Sequence, residues 1–215
     1  MHHMILFVII GLLISCDTDT QPSTIITEVY EVDGGASDNY AKGSLKYMEH
    51  ESFHGDKVVS KTIYNQDQSV KGKEVYTYED NNDLPSGSAF YGQAGELLST
   101  YKYTYEDTLK SFSHAYAGDT DELLRIEGFQ YDDKGNMVRK TIFNDLKQKQ
   151  KSFMFGHDQY GNEVKMVLTD QNDKLILTET YEIVTVDEKK RWIEKYGYVN
   201  DNPAPATFYH KRRNG

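Results

Sequence analysis

The sequence predicts an all-β fold, in which a repetitive antiparallel β-meander of about twelve strands forms an open curved sheet or a partial barrel. Two observations lead to this prediction: an aromatic repeat with a period of about 26 residues, and an alternation of tyrosine with polar residues inside each repeat. A fixed period of this size indicates one supersecondary unit that is copied in series.

The aromatic repeat has two registers. In the first, a tyrosine or histidine precedes an acidic residue at intervals of 27, 26 and 26 residues: Tyr78, Tyr105, Tyr131 and His157. In the second, the intervals are 27, 25 and 27 residues: Tyr64, Tyr91, Tyr116 and Phe143. Tyr196 lies 53 residues beyond Phe143, which is two further periods. Each repeat is therefore expected to contribute two equivalent strands.

Within a repeat, tyrosines alternate with polar residues. Tyr101, Tyr103 and Tyr105 are separated by Lys102 and Thr104. Successive side chains of a β-strand point to opposite faces, so the three tyrosines share one face. Tyrosine and threonine are also the residue types that a pleated, half-buried surface favours.

Turn residues separate the two registers. The segments 81–83, 132–136 and 158–162 are rich in Asp, Asn and Gly, which tolerate the positive φ of tight turns. Each repeat is thus predicted to be a hairpin, and about six hairpins between residues 46 and 199 give the predicted strand number. An earlier strand is predicted near residues 25–32.

Two of the turn sequences resemble the YD repeats of the Rhs family, whose core is Tyr-Asp-x-x-Gly followed by Asn or Arg. They are Tyr131-Asp132-Asp133-Lys134-Gly135-Asn136 and His157-Asp158-Gln159-Tyr160-Gly161-Asn162, the second with histidine in place of tyrosine. The resemblance, taken over residues 46–199, implies long sheets of β-hairpins that wind into shells. Six units are fewer than a closed shell uses, so an open sheet or partial barrel is expected.

An apolar stretch near the amino terminus, residues 5–14, precedes the single cysteine of the chain, Cys16. It is shorter than the ~20 residues that span a bilayer and has the length of a signal-peptide core. The sequence Leu13-Ile14-Ser15-Cys16 resembles the lipobox of bacterial lipoproteins, which implies cleavage before Cys16 and covalent lipid on its thiol. Two or more acyl chains would hold the protein stably at a membrane.

The predicted organisation has four parts. These are a lipoprotein signal peptide (1–15), a polar tether (16–23), a single repeat-built β domain (24–210) and a basic tail (211–215). The lipobox resemblance implies a lipid-anchored protein of the bacterial cell envelope, with the outer membrane favoured over the inner. The alternative is a plain amino-terminal membrane anchor with an unmodified cysteine.

The charge of the chain excludes one class of partner. A formal net charge of −10 and an isoelectric point near 5.2 argue against nucleic-acid binding, which requires clustered Lys and Arg to displace counterions from phosphates. With Cys16 lipidated, no thiol remains for a disulfide or for catalysis. The covalent lipid on Cys16 is the only prosthetic group that we expect.

Residues 50–54 match His-Glu-x-x-His, the motif of zinc peptidases. That motif requires a helix, which brings both histidines to one metal ion. The repeat instead predicts a strand, on which His50 and His54 would lie about 13 Å apart, too far for a shared zinc ion. We therefore interpret these histidines as part of a strand and its turn.

The expected function is a non-catalytic binding or structural scaffold on the envelope. Its expected partners are the membrane, through the anchor, and a protein or glycan at a face or edge of the sheet. Tyr101, Tyr103 and Tyr105 are the candidate binding surface. Two alternatives remain open: an envelope zinc hydrolase that uses His50 and His54, and a periplasmic carrier of apolar ligands in a partial barrel.

Overall fold

The structure, a computed structural model, describes residues 23–33, 40–80 and 82–214. Over these residues the chain forms a closed barrel of fourteen antiparallel strands, each hydrogen-bonded to the strands before and after it. The strands are β1 (Ser23–Asp33), β2 (Ala41–His54), β3 (Lys57–Asn65), β4 (Val70–Tyr78), β5 (Pro85–Tyr91), β6 (Leu97–Glu106), β7 (Leu109–Ala117), β8 (Leu123–Tyr131), β9 (Met137–Asn144), β10 (Lys149–His157), β11 (Glu163–Asp170), β12 (Leu175–Val186), β13 (Trp192–Val199) and β14 (Thr207–Asn214).

The predicted all-β antiparallel meander is confirmed. The predicted open curved sheet or partial barrel of about twelve strands is corrected to a closed barrel of fourteen described strands. Closure occurs because β1 pairs on one side with β2 and on the other with β14, so that Thr27 is opposite both Glu49 and Lys211. Pairing of the first and last strands satisfies backbone N–H and C=O groups that an open sheet would leave without hydrogen bonds at its edges. Residues 211–214, which the sequence suggested were a basic tail, extend β14 in this pairing.

The first register of the repeat corresponds to a recurrent β-bulge. A shift in strand register immediately precedes each repeat position, Tyr78, Tyr105, Tyr131 and His157. Each of the three tyrosine hydroxyls donates a hydrogen bond to a backbone carbonyl 20 or 21 residues earlier, with the pairs Tyr78–Val58 (2.8 Å), Tyr105–Pro85 (2.8 Å) and Tyr131–Lys110 (3.0 Å). The repeat tyrosine thus fastens its own strand to the start of the preceding one. His157 has no hydroxyl with which to make this bond.

The Asp-x-x-Gly-Asn turns have a clear physical basis. Asp132 accepts hydrogen bonds at Oδ1 from the backbone N–H of Lys134 (2.9 Å) and Asn136 (2.8 Å), and at Oδ2 from the Asn136 amide (2.9 Å). Gly135 has φ of 82°, which an L-residue with a side chain rarely adopts. The second such turn repeats these bonds around Asp158, with Gly161 at 83°.

One face of the sheet lines the barrel interior. Three hydrogen bonds on this face join side chains two strands apart: Tyr103 to Glu74 (3.1 Å), Arg125 to Tyr101 (2.9 Å) and Tyr209 to Glu179 (3.1 Å). Side chains converge on the concave face of a closed sheet, which identifies this face as the inner one. At each crossing the intervening strand carries a small residue, namely Ser88, Ala115 or Gly197.

The interior is not a continuous apolar core. Among the described residues, the buried hydrophobic side chains are Ile26, Val29, Ala115, Ile126 and Phe208, of which only Val29 and Ala115 are on the inner face. Three of these five flank the seam between β1 and β14. The buried polar and charged residues include Glu127 and Lys195, both on the inner face. The barrel therefore closes around polar and aromatic side chains.

Candidate ligand-binding site inside the barrel

A half-open cavity of about 630 Å³ lies against the inner face of β4 to β9. This volume falls in the range of roughly 300–1,000 Å³ that is typical of small-molecule sites. The cavity is lined by Glu74, Tyr76, Phe90, Leu98, Ser99, Tyr101, Tyr103, Lys110, Ser113, Leu124, Arg125, Glu127, Phe129 and Lys140. Five of these side chains are carboxylates or cations and three more are tyrosines, so the cavity is chemically polar.

On one side of the cavity, hydroxyl groups surround a carboxylate. Glu74 accepts hydrogen bonds from the hydroxyls of Ser88 (2.6 Å), Tyr103 (3.1 Å) and Tyr76 (3.2 Å). The Ser88 and Tyr103 hydroxyls also lie 2.6 Å from each other. Burial raises the pKa of both Tyr76 and Tyr103, so these phenols stay protonated and can donate at neutral pH.

On the other side, two cations share one carboxylate. Glu127, which is 8% exposed, pairs with Arg125 (3.1 Å) and Lys140 (3.0 Å). Burial acts to raise the pKa of Glu127, but Lys140 and Arg125 outweigh that effect and hold the pKa below its ordinary value. Arg125 also donates a hydrogen bond to the Tyr101 hydroxyl at 2.9 Å. This side of the cavity is thus a fixed, ionised network.

A third cation has a different environment. Lys110 Nζ lies 4.4 Å from the ring centroid of Tyr103 and 4.8 Å from that of Phe129. Within the part of the chain that the structure describes, no ion pair joins Lys110 to a carboxylate. Burial lowers its pKa, although the nearby carboxylates of Glu127 and Glu74 act in the opposite direction. Two aromatic faces therefore hold this ammonium at the cavity wall.

Farther round the barrel, a second lysine is enclosed by aromatic rings. Lys195 Nζ lies 3.6 Å from the ring centroid of Tyr181, 4.8 Å from that of Trp192 and 5.1 Å from that of Tyr209. The residue is 7% exposed, and burial lowers its pKa to about 8. This cluster lies on the inner face of β12 to β14 and contributes no residue to the lining of the cavity.

The three tyrosines of the predicted binding surface lie on the inner face. Tyr101 and Tyr103 line the cavity, where their hydroxyls contact Arg125 and Glu74. Tyr105 lies nearer the strand end and donates its hydrogen bond to the Pro85 carbonyl. The structure thus brings two of the three to the candidate site and gives the third a structural bond.

The His-Glu-x-x-His segment lies on a strand, as the repeat predicts. His50, Glu51 and His54 all belong to β2. His50 is opposite Ile26 on the outer face and Glu51 is opposite Ile25 on the inner face, so the histidine and the glutamate point to opposite sides of the sheet. Within the described residues there is no group of three metal-ligating side chains. The zinc-hydrolase geometry is therefore not formed at this segment.

Sequence reasoning missed five charged residues of the site: Glu74, Lys110, Arg125, Glu127 and Lys140. A signal for some of them was present. Counting back in steps of two from Tyr131 reaches Phe129, Glu127 and Arg125, all on one face of β8. The alternation groups these residues, but it does not say that their face becomes concave.

Cys16, the predicted lipidation residue, lies outside the described residues, as do the predicted signal peptide and most of the predicted tether. Over residues 23–33, 40–80 and 82–214, no helix has the length and hydropathy that crossing a membrane requires.

No family model and no curated protein matches this chain. Solved structures similar in shape include a porin-like protein from Bacteroides uniformis ATCC 8492, with a TM-score of 0.41, 10% identity and coverage of 88% of this chain and 96% of that one. Others are the TcdB2-TccC3-TEV structure and the Photorhabdus luminescens Tc holotoxin pore with a TccC3-D651A mutation. Both have a TM-score of 0.32 and 13% identity; coverage is 85% and 86% of this chain and 11% of each of those chains. Similarity at this level does not assign an activity.

Proposed function

We propose that this chain is a lipid-anchored protein of the bacterial cell envelope that binds a small polar ligand inside its barrel, without catalysing a reaction. The observation that carries the binding role is the half-open cavity, where Glu74, Lys110 and Arg125 face the same space. Convergent polar groups in a preformed cavity are typical of ligand sites.

The chemistry of the cavity favours binding over the two alternatives. An apolar-ligand carrier would leave the charges of Lys110 and Glu74 desolvated against hydrocarbon, which is costly. A zinc hydrolase would require His50 and Glu51 on one side of the sheet, and they lie on opposite sides. Binding through a free sheet edge loses its basis, because every described strand has a neighbour on each side.

The lipobox-like sequence that ends at Cys16 supports an envelope location. β1 begins at Ser23, and Cys16 stands seven residues earlier, a length that spans at most about 25 Å of extended chain. Lipid on Cys16 would hold the barrel close to the membrane, with the end at Ser23 and the β2–β3 turn nearest to it. The test is radiolabelled palmitate incorporation, which should be lost in Cys16→Ala together with recovery in the membrane fraction. Continued labelling of that variant would contradict the anchor.

The binding role is tested by native mass spectrometry of the protein after detergent release from its own membranes. We expect a small-molecule adduct on the wild type that is lost in Tyr101→Ala. Tyr116→Ala is the matched control, because Tyr116 lies on the outer face of the neighbouring strand, opposite Thr100. Absence of any adduct, or equal loss in both variants, would contradict a ligand site in the cavity.

A further inference from the structure

We infer that the ligand of this cavity is an acidic saccharide, a short oligosaccharide of hexuronic acids whose carboxylate pairs with Lys110. The inference rests on the proposed binding function and assigns its ligand class. It starts from the charge balance of the cavity wall, which carries three cations, Lys110, Arg125 and Lys140, and two carboxylates, Glu74 and Glu127. The wall is thus cationic in a chain whose formal charge is −10.

The excess positive charge is located at Lys110. Arg125 and Lys140 are both paired with Glu127, at 3.1 and 3.0 Å. Lys110 has aromatic rings beside it and no ion pair among the described residues. Burying an ammonium away from water is costly unless a counter-charge compensates it. Glu127 and Glu74 attract Lys110 without forming an ion pair with it among the described residues, so an anionic ligand group would supply the direct counter-charge.

The rest of the wall matches sugar rather than a compact anion. Any anion at Lys110 is repelled by Glu74, and a doubly charged phosphate or sulfate is repelled more strongly than a single carboxylate. The hydrogen-bond partners of Glu74 are all hydroxyls. In a uronic acid the carboxylate and the hydroxyl groups lie at different positions of the ring. The carboxylate can therefore pair with Lys110 while hydroxyl groups donate hydrogen bonds to Glu74. The tyrosine hydroxyls of the wall add donors and acceptors for the remaining sugar oxygens.

The wall also provides surfaces for the sugar rings. Tyr76, Tyr101 and Phe90 present aromatic side chains to the cavity, and the C–H faces of pyranose rings are apolar. The volume of about 630 Å³ accommodates more than one ring, whereas a single small anion would leave most of it to water. Shape and charge together thus point to an oligosaccharide with carboxylates.

The experiment is isothermal titration calorimetry at pH 7 and low salt with four probes: digalacturonic acid, its dimethyl ester, inorganic phosphate and citrate. We expect digalacturonic acid to bind and its dimethyl ester, which has the same rings without the charges, to bind at least tenfold more weakly. Lys110→Met should weaken the binding of digalacturonic acid at least tenfold. Lys102→Met is the matched control, because Lys102 Nζ also lies over a tyrosine ring, 5.0 Å from Tyr116, but on the outer face.

The outcomes separate this inference from the proposed function. Equal binding of the acid and its ester, with loss in Tyr101→Ala, would overturn the charge pairing and leave a polar-ligand site in place. Phosphate or citrate binding as tightly as the sugar acid would overturn the saccharide class. If none of the four probes binds, the inference fails. The proposed function is decided separately, by whether native mass spectrometry detects a small-molecule adduct on the protein from its own membranes. Circular dichroism of each variant controls for folding.

Discussion

The hydroxyl of Tyr103 lies 3.1 Å from a carboxylate oxygen of Glu74, although a whole strand separates β6 from β4. Ser88, on that intervening strand, makes the approach possible, because its side chain is small and its hydroxyl lies 2.6 Å from each of the two groups. The same arrangement, a small residue between two large ones, recurs at Ala115, which lies between Tyr101 and Arg125. The cavity wall is therefore built from side chains of alternate strands that meet across small residues.

The Ser88 bridge can be tested by its removal. Ser88 is buried, so Ser88→Ala deletes two hydrogen bonds inside the barrel, and we expect a loss of about 1–2 kcal/mol in the free energy of unfolding. Ser60→Ala is the control, because Ser60 lies on the outer face opposite Val75, and its loss should stay below about 0.5 kcal/mol. Equilibrium urea denaturation measures both, and equal losses would show that the bridge contributes nothing.

The repeat tyrosines of the first register make a second prediction. Tyr78→Phe, Tyr105→Phe and Tyr131→Phe each remove one hydrogen bond to a backbone carbonyl and leave the ring in place. We expect each to lower the free energy of unfolding by about 1 kcal/mol, plus the cost of an unsatisfied carbonyl where water cannot enter. Tyr91→Phe, in the second register, should change it by less than about 0.5 kcal/mol. If Tyr91→Phe lowers the free energy of unfolding as much as the other three variants do, the hydrogen bond at the bulge does not explain the tyrosines of the first register.

Much of the fold could be predicted from the sequence because its signals are local. The spacing of Tyr78, Tyr105 and Tyr131 reports the hairpin period, and each marks a bulge followed by a turn. The turns at Gly135 and Gly161 need a positive φ, which glycine adopts readily. Neither signal requires knowledge of distant parts of the chain.

Closure could not be predicted in this way. It depends on pairing between β1 and β14, where Thr27 is opposite Lys211 at the other end of the chain. No local pattern marks that pairing, and the basic residues of β14 suggested a solvated tail. One of them, Arg212, in fact forms an ion pair with Glu28 across the seam at 3.3 Å. Alternation likewise grouped Tyr101 with Tyr103, but only closure makes their face concave.

The seam should therefore be a point of vulnerability. Ile26 is 4% exposed and lies in β1, which pairs with β14 to close the barrel. Ile26→Ala should lower the free energy of unfolding by about 2–4 kcal/mol. Ile176→Ala is the matched control, because Ile176 is also in a strand but is 53% exposed, so its loss should stay near or below about 1 kcal/mol. Urea denaturation again measures both. Comparable losses would mean that hydrophobic packing at the seam does not maintain closure.

The enclosure of Lys195 predicts a distinctive pH dependence of stability. Burial lowers the pKa of Lys195 from 10.5 to about 8, against the opposing effect of Glu163 and Glu179. Between pH 8 and 10.5 the unfolded chain therefore holds a proton that the folded chain has released, so stability should rise with pH by at most about 1.4 kcal/mol per unit.

Lys195→Met should reduce this rise, although Lys110 and Lys211, whose pKa values burial also lowers, still contribute to it. Lys165→Met, which removes an exposed lysine of the outer face, should preserve the full rise. Above pH 10 the trend reverses in all three proteins. Burial raises the pKa of tyrosines such as Tyr181 and Tyr209, so the unfolded chain loses their protons first and stability falls. Urea denaturation from pH 7 to 11 measures the profile. A wild-type curve that runs parallel to that of Lys195→Met between pH 8 and 10 would show that Lys195 retains its ordinary pKa in the folded barrel.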